Sequence, residues 1–183
     1  MNTVNSYLFF GPSGNNLFIT EFGNKAIREI NITSGNIVTF LNSSQGLDGP
    51  QSITFDSSKN AYVANYNKNQ VLKVDAVTKA VSVFAGTGVA GYLGEGGLAS
   101  LAQLYAYWVI YHQDAIYIAD QGNSCIRMVN LTSNMISTVA GMCTSSGFSG
   151  DGGLAVNAKL NKPSCVIFDT SGQMFIADHD NYR

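Results

Sequence analysis

The apolar residues of this chain fall in short runs rather than at helical spacing. Four runs copy one pattern: Leu17-Phe18-Ile19-Thr20-Glu21, Ala61-Tyr62-Val63-Ala64-Asn65, Ile116-Tyr117-Ile118-Ala119-Asp120 and Met174-Phe175-Ile176-Ala177-Asp178. Their aromatics are 44, 55 and 58 residues apart, in or just above the period of propeller blades. Another apolar run precedes each copy (7–10, 53–55, 108–111, 165–168). Two more follow the first three copies, at 27–30, 71–74 and 126–129 and then at 37–41, 81–85 and 136–140. Ile37 follows Ile30, Val81 follows Val74 and Ile136 follows Val129 by seven positions each. Each of these linkers opens on Asn31, Asp75 or Asn130, whose side chains bond their own backbone and start turns. The repeating unit is therefore four short strands joined by tight turns.

These runs are apolar at nearly every position. A sheet with one wet face would alternate, so both faces of each sheet are expected to be buried. No ten-residue helical pattern lies between the strands to cover them. Sheet stacked on sheet around an axis, a β-propeller, is the architecture that remains. The expectation is an all-β chain of four-stranded blades, one propeller segment spanning 1–183, with units at about 4–41, 51–85 and 107–140 and a partial unit at 164–183. Three and a half such units make an incomplete arc. Missing blades or a second copy are needed to close the ring, and the bare chain is expected to associate through its uncovered end faces.

Two long connections also match. Gly91-Tyr92-Leu93-Gly94-Glu95-Gly96-Gly97-Leu98-Ala99 aligns with Gly147-Phe148-Ser149-Gly150-Asp151-Gly152-Gly153-Leu154-Ala155, followed by Ala102 and Leu104 or Ala158 and Leu160. Their glycines permit tight folding, and the Leu/Ala segment is expected to form one helical turn. The connection 42–49 lacks this element.

Residues 117–129, YIADQGNSCIRMV, resemble the strand-turn-strand signature of the NHL-repeat β-propellers. FIADHDNYR at 175–183, FITEFGNKAIREI at 18–30 and, more weakly, YVANYNKNQVLKV at 62–74 are similar to it, as are the glycine-rich loops at 85–99 and 140–155. The resemblance covers essentially the whole chain. It implies a closed ring, most often of six blades, on a fold that hosts binding platforms, sensor domains and a few enzymes.

Charge narrows the partners. Ten Lys and Arg stand against twelve Asp and Glu, net −2, with no basic cluster. Nucleic-acid binding through a basic face is therefore not expected. No apolar run approaches the ~18 residues of a membrane span, and the N-terminal MNTVNSYLFFGPSG lacks the basic start of a secretory leader. Sequons at Asn31, Asn42 and Asn130 match what 18 Asn and 29 Ser plus Thr give by chance, roughly three. Cys125 and Cys165 read as buried strand residues and Cys143 as a loop residue. Without framework spacing, three free thiols and no intrachain disulfide are expected.

The candidate chemistry is sparse. Glu21, Asn65, Asp120 and Asp178 end the second strand of each unit; they form either a polar rim or caps for the N–H groups of the following turn. Arg28, Lys73 and Arg127 read as equivalent third-strand positions that make salt links within the blade. Glu95 and Asp151 lie in the glycine-rich loops, one carboxylate per loop, short of a Ca²⁺ ligand set. Tyr92 and Phe148 hold matching loop positions, either as binding anchors or as pins for the loop. His112 is expected at an exposed turn, and His179 follows a strand-end Asp; neither belongs to a ligand set, and no metal or cofactor is expected. The reading is a non-catalytic platform for a protein or small ligand. The alternatives are a channel-centred metal-dependent lyase or hydrolase and the sensor domain of a larger receptor or kinase.

Overall fold

The computed structural model describes residues 6–183. The expected start of the first unit at residue 4 and the opening of the N-terminal stretch lie outside the described residues. The first sheet is β1 (Ser6–Phe10), β2 (Asn16–Glu21), β3 (Ala26–Asn31) and β4 (Ile37–Asn42). The second is β5 (Pro50–Phe55), β6 (Ala61–Asn65), β7 (Gln70–Val74) and β8 (Val81–Ala85). The third is β9 (Ala106–His112), β10 (Ala115–Asp120), β11 (Cys125–Asn130) and β12 (Ile136–Ala140), and a two-stranded fourth is β13 (Pro163–Phe168) and β14 (Met174–Asp178). Within each sheet the strands pair in chain order and antiparallel, as hairpins with tight turns require. The described residues contain no α-helix, only short 3-10 turns. These are propeller blades in an open arc.

The first strands of successive blades lie against each other near the axis. Two hydroxyls explain how such inner edges are satisfied. Val109 N–H donates to Ser52 Oγ at 2.8 Å and Tyr111 N–H to Thr54 Oγ1 at 3.0 Å, so β5 supplies acceptors to β9 without forming a ladder with it. Between the blades the apolar faces interlock. Phe18, Ile27 and Leu41 pack on Ile53, Val63 and Leu72. Tyr62, Ala64 and Val71 pack on Val109, Ile116 and Ile118. Ala119 and Ile126 pack on Val166. Burial on both faces explains why the strands do not alternate. At the ends of the arc no blade covers the sheet. Leu8 and Phe10 of β1 are 64% and 73% exposed, and Ile167 and Phe175 of the fourth sheet 50% and 48%.

Four expectations need correction. First, Lys73 is not equivalent to Arg28 and Arg127. Arg28 lies opposite Ile19, Arg127 opposite Ile118, and Leu72 opposite Val63. Lys73 lies opposite Tyr62, one position on and therefore on the other face of the strand, with its ammonium 5.8 Å from the Tyr62 ring. Arg28 makes no ion pair among the described residues. Second, the 42–49 connection does contain a helical turn, Ser43–Gln45, beside the expected turns Ala99–Leu101 and Ala155–Asn157. A capping box makes it without glycine-rich sequence: Ser44 N–H donates to Asn42 Oδ1 at 2.9 Å, and Asn42 N–H to Gln45 Oε1 at 3.2 Å.

Third, Cys125 and Cys143 form a disulfide across 18 residues, leaving Cys165 as the free, half-buried cysteine. The β11–β12 hairpin carries the chain back to its own start. Thr144 N–H then donates to Asn123 O at 2.7 Å and sets Cys143 beside Cys125. Fourth, His112 is not at a free turn. It ends β9 and stacks flat on Phe168, with centroids 4.0 Å apart and planes 3° apart.

Candidate functional site

The strand-end residues do not form a polar rim, nor do Asn65, Asp120 and Asp178 cap the turn that follows them. They are buried, and each accepts a backbone N–H from the connection that enters its own blade. Tyr105 N–H donates to Asp120 Oδ1 at 2.7 Å, Asn161 N–H to Asp178 Oδ1 at 2.6 Å, and Asp48 N–H to Asn65 Oδ1 at 2.7 Å. An asparagine three residues on completes the buckle. Asn123 Nδ2 donates to Asp120 and to Gly91 O (2.7 Å); Asn181 Nδ2 donates to Asp178 and to Gly147 O (2.7 Å). In the second blade Lys68 stands at that position, and Asn65 does both jobs itself, its Nδ2 donating to Gly46 O at 3.1 Å. Glu21 differs: half-exposed, it accepts among the described residues only from Asn24 Nδ2, at 3.3 Å.

Asp120 is the one strand-end carboxylate joined to a buried cation. The fully buried Arg127 guanidinium lies 3.8 Å from Asp120 Oδ2 and 3.1 Å from Glu95 Oε2, and it donates to Gln103 O at 3.1 Å. It also lies over the Tyr92 ring, 5.0 Å from the centroid. Burial pushes the Asp120 carboxyl up to about 6, against the opposing pull of Asn123, the Tyr105 N–H and Arg127. Glu95 has the opposite balance. Although partial burial raises it, hydrogen bonds from Thr138 and the charge of Arg127 hold it below the usual carboxylate range. Of the candidate loop residues, Glu95 and Tyr92 therefore meet on Arg127, with the Tyr92 hydroxyl 3.2 Å from Thr138 Oγ1, and pin the loop. Phe148 and Asp151 meet on Arg183, which lies 3.8 Å over the ring and 3.4 Å from Asp151 Oδ2. The eight candidate residues thus fall into separate structural sets and do not line one site.

What converges instead is a set of aromatics that the sequence pattern passed over. The residue after each strand end, Phe22, Tyr66, Gln121 or His179, opens the β2–β3 type turn at one end of the blades. Phe22 lies 6.4 Å from Tyr66, and Tyr66 lies edge-on to Tyr107 of the third blade at 5.6 Å. The Tyr107 hydroxyl is 3.1 Å from that of Tyr7, whose ring meets Trp108 edge-on at 5.6 Å. Burial, and then the bond with Tyr7, raise the Tyr107 phenol above its usual range. These half-buried rings link three blades at the axis. At their edge Lys162 pairs with Asp180 at 2.7 Å, and Asp180 also meets His179 Nδ1 at 2.6 Å. Among the described residues no three His, Cys, Asp or Glu side chains cluster as metal ligands, and no helix is long and apolar enough to cross a membrane.

No family model matches the chain. Teneurin-4 from Homo sapiens and from Mus musculus is each 35% identical over 85 residues, covering 40% of this chain and 3% of the relative. Among solved structures, an auxiliary nutrient binding protein from Bacteroides thetaiotaomicron VPI-5482 superposes with a TM-score of 0.75 at 21% identity, over 92% of this chain and 44% of that one. An auxiliary nutrient binding protein from Bacteroides ovatus ATCC 8483 gives 0.77 at 19% identity, over 96% and 46%. Virginiamycin B lyase from Staphylococcus aureus gives 0.61 at 15%, over 97% and 50%. The chain thus spans half or less of each solved relative and a small fraction of teneurin-4. At these identities the structural likeness shows the fold, and that fold is the β-propeller.

Proposed function

We propose that this chain is part of an NHL-type propeller that serves as a recognition platform, and that the aromatic cluster at the axis is its contact surface. The observation that carries the reading is the convergence of Tyr7, Phe22, Tyr66 and Tyr107 from three blades. Half-buried phenols and rings offer apolar area with hydroxyl donors at low entropic cost, the composition of binding anchors. The nutrient-binding neighbours are consistent with a binding role. In this reading the uncovered faces of β1 and of the fourth sheet receive further blades or a second copy.

Trp108 is the sole tryptophan and touches the cluster through Tyr7 and Phe9. Its fluorescence therefore reports occupancy. Titration with panels of short peptides and oligosaccharides is expected to give a saturable change that Tyr66→Ala and Tyr107→Ala abolish. No saturable change across both panels, or one that survives both substitutions, refutes the assignment.

A further inference from the structure

A second site lies at the opposite end of the blades, between the first and second, among the turns that join β1 to β2, β5 to β6 and β7 to β8. It is a cavity of about 250 Å³ floored by Phe18, Phe40 and Phe55, whose rings meet 5.1 and 4.9 Å from Phe18. The equivalent clefts in the other blades differ in what lies over their aromatic rings. Lys73 lies over Tyr62 in the second, whose cleft is also open at about 420 Å³, and His112 stacks on Phe168 in the third. In the first cleft the position equivalent to Lys73 is Glu29, so no side-chain cation of β3 covers the rings.

The charges around this cavity are unspent. Glu29 accepts a hydrogen bond from Asn16 Nδ2 but makes no ion pair among the described residues. Across the cleft stand Lys59 and Lys79, both in the left-handed region at φ 66° and 61°. The turn position of Lys79 is Gly35 in the first blade and Asn134 in the third, and that of Lys59 is Gly172 in the fourth. Lysine is a poor choice for this conformation. The two other left-handed lysines have partners in the chain: Lys25 pairs with Asp48 and Lys162 with Asp180. Lys59 and Lys79 have none among the described residues; Lys79 only donates to Ala76 O, at 2.8 Å. The nearby Asp75 carboxylate is turned onto its own Val77 and Thr78 N–H groups.

We infer that this cleft binds a free α-amino acid with an apolar side chain: its ammonium at Glu29, its carboxylate at Lys59 and Lys79, and its side chain on the three phenylalanines. Opposite charges held apart across an apolar floor complement a zwitterion. At about 250 Å³, below the 300–1,000 Å³ typical of drug-sized sites, the cleft suits a ligand the size of a single amino acid. The site is independent of the axial aromatic cluster.

Isothermal titration of L-leucine and L-phenylalanine into the chain tests the inference. Saturable binding of at least one is expected, and N-acetylation or methyl esterification should each weaken it by about tenfold or more, the loss of one charge-assisted contact. Glu29→Gln and the double variant Lys59→Gly/Lys79→Gly should weaken it similarly. The glycines suit the left-handed turns, so thermal melts should show that double variant folded and no less stable, and Tyr66→Ala should bind as the parent does. Absence of binding up to about 10 mM, equal binding of the blocked amino acids, or parental affinity in the lysine double variant overturns the inference.

Discussion

Arg127 and Asp120 form a pair whose energetics the second blade lets us anticipate. Where the third blade has Asp120 and Arg127, the second has Asn65 and Leu72 at the same register positions. Replacing Arg127 by Leu removes the cation and leaves the Asp120 carboxylate buried without it. A carboxyl raised from 3.8 to about 6 already costs about 3 kcal/mol in its charged form at neutral pH. The substitution also strips Gln103 O of its donor and Tyr92 of its stacked guanidinium. The expected loss is about 3–5 kcal/mol, the range for breaking a buried pair. Asp120→Asn alone leaves the guanidinium to the half-exposed Glu95 and is expected to cost about 2 kcal/mol or more. The double variant Asp120→Asn/Arg127→Leu imports the neutral pair of the second blade. It should recover at least about 2 kcal/mol of the Arg127→Leu loss. Urea unfolding of the parent, both single variants and the double variant, closed as a thermodynamic cycle, measures the coupling. Additive losses, within about 0.5 kcal/mol, would refute the view that Arg127 is held as the counter-ion of Asp120.

Denatured without reductant, the chain should show one titratable thiol, Cys165, and three after reduction; three from the start would rule out the Cys125–Cys143 bond. Replacing both bridged cysteines by Ser should cost about 2–4 kcal/mol in unfolding assays under oxidising conditions. The Asp120 carboxyl should titrate near 6 by carbon-detected nuclear magnetic resonance. Because the folded state then holds that proton more tightly, its contribution is fully present below pH 3.8 and lost as pH rises through 6, and Asp120→Asn should remove that slope from the stability profile. Gly86→Ala and Gly141→Ala should each cost about 2 kcal/mol or more. An added Cβ would lie 2.3 Å from Asn69 O or 2.7 Å from Ser124 O at φ +92° or +87°. Gly23→Ala, which meets nothing within 4 Å, should stay within about 0.5 kcal/mol.

The blades were legible because turn chemistry and strand length are local. Asn31, Asp75 and Asn130 each open a six-residue hairpin link, and doubly buried strands show as unbroken apolar runs. What escaped required register or a third dimension. In Val71-Leu72-Lys73-Val74 a one-residue slip keeps the apolar character yet moves the charge to the other face, so the sequence alone does not separate Lys73 from the register of Arg28 and Arg127. The Cys125–Cys143 bond depends on the β11–β12 hairpin and has no spacing signature. Asp120 and Asp178 were recognised as capping residues, but which backbone they cap is decided by the long connection that returns to the same blade. The axial aromatics were missed because Phe22, Tyr66, Gln121 and His179 vary in chemistry, and an interest in repetition overlooks a position that does not repeat.

A repeat protein separates its fold from its function. Each blade is a control for the others, since all must solve the same packing problem. Positions where the copies agree, or exchange one self-consistent set for another, serve the blade; Asp120 with Asn123 against Asn65 alone is such an exchange. Positions where one copy departs at a conformational cost need another reason. A lysine in the left-handed region costs roughly 1–2 kcal/mol, and an unpaired surface ammonium returns little of it. For Lys25 and Lys162 the return is a carboxylate of the same chain. For Lys59 and Lys79, where other blades place Gly172, Gly35 or Asn134, no carboxylate among the described residues supplies it, and Lys79 has only the Ala76 carbonyl. Both stand at one cavity with Glu29 on its wall. Two independent departures that meet at a single cavity have no packing partner among the described residues, and they point to a ligand that enters the cleft.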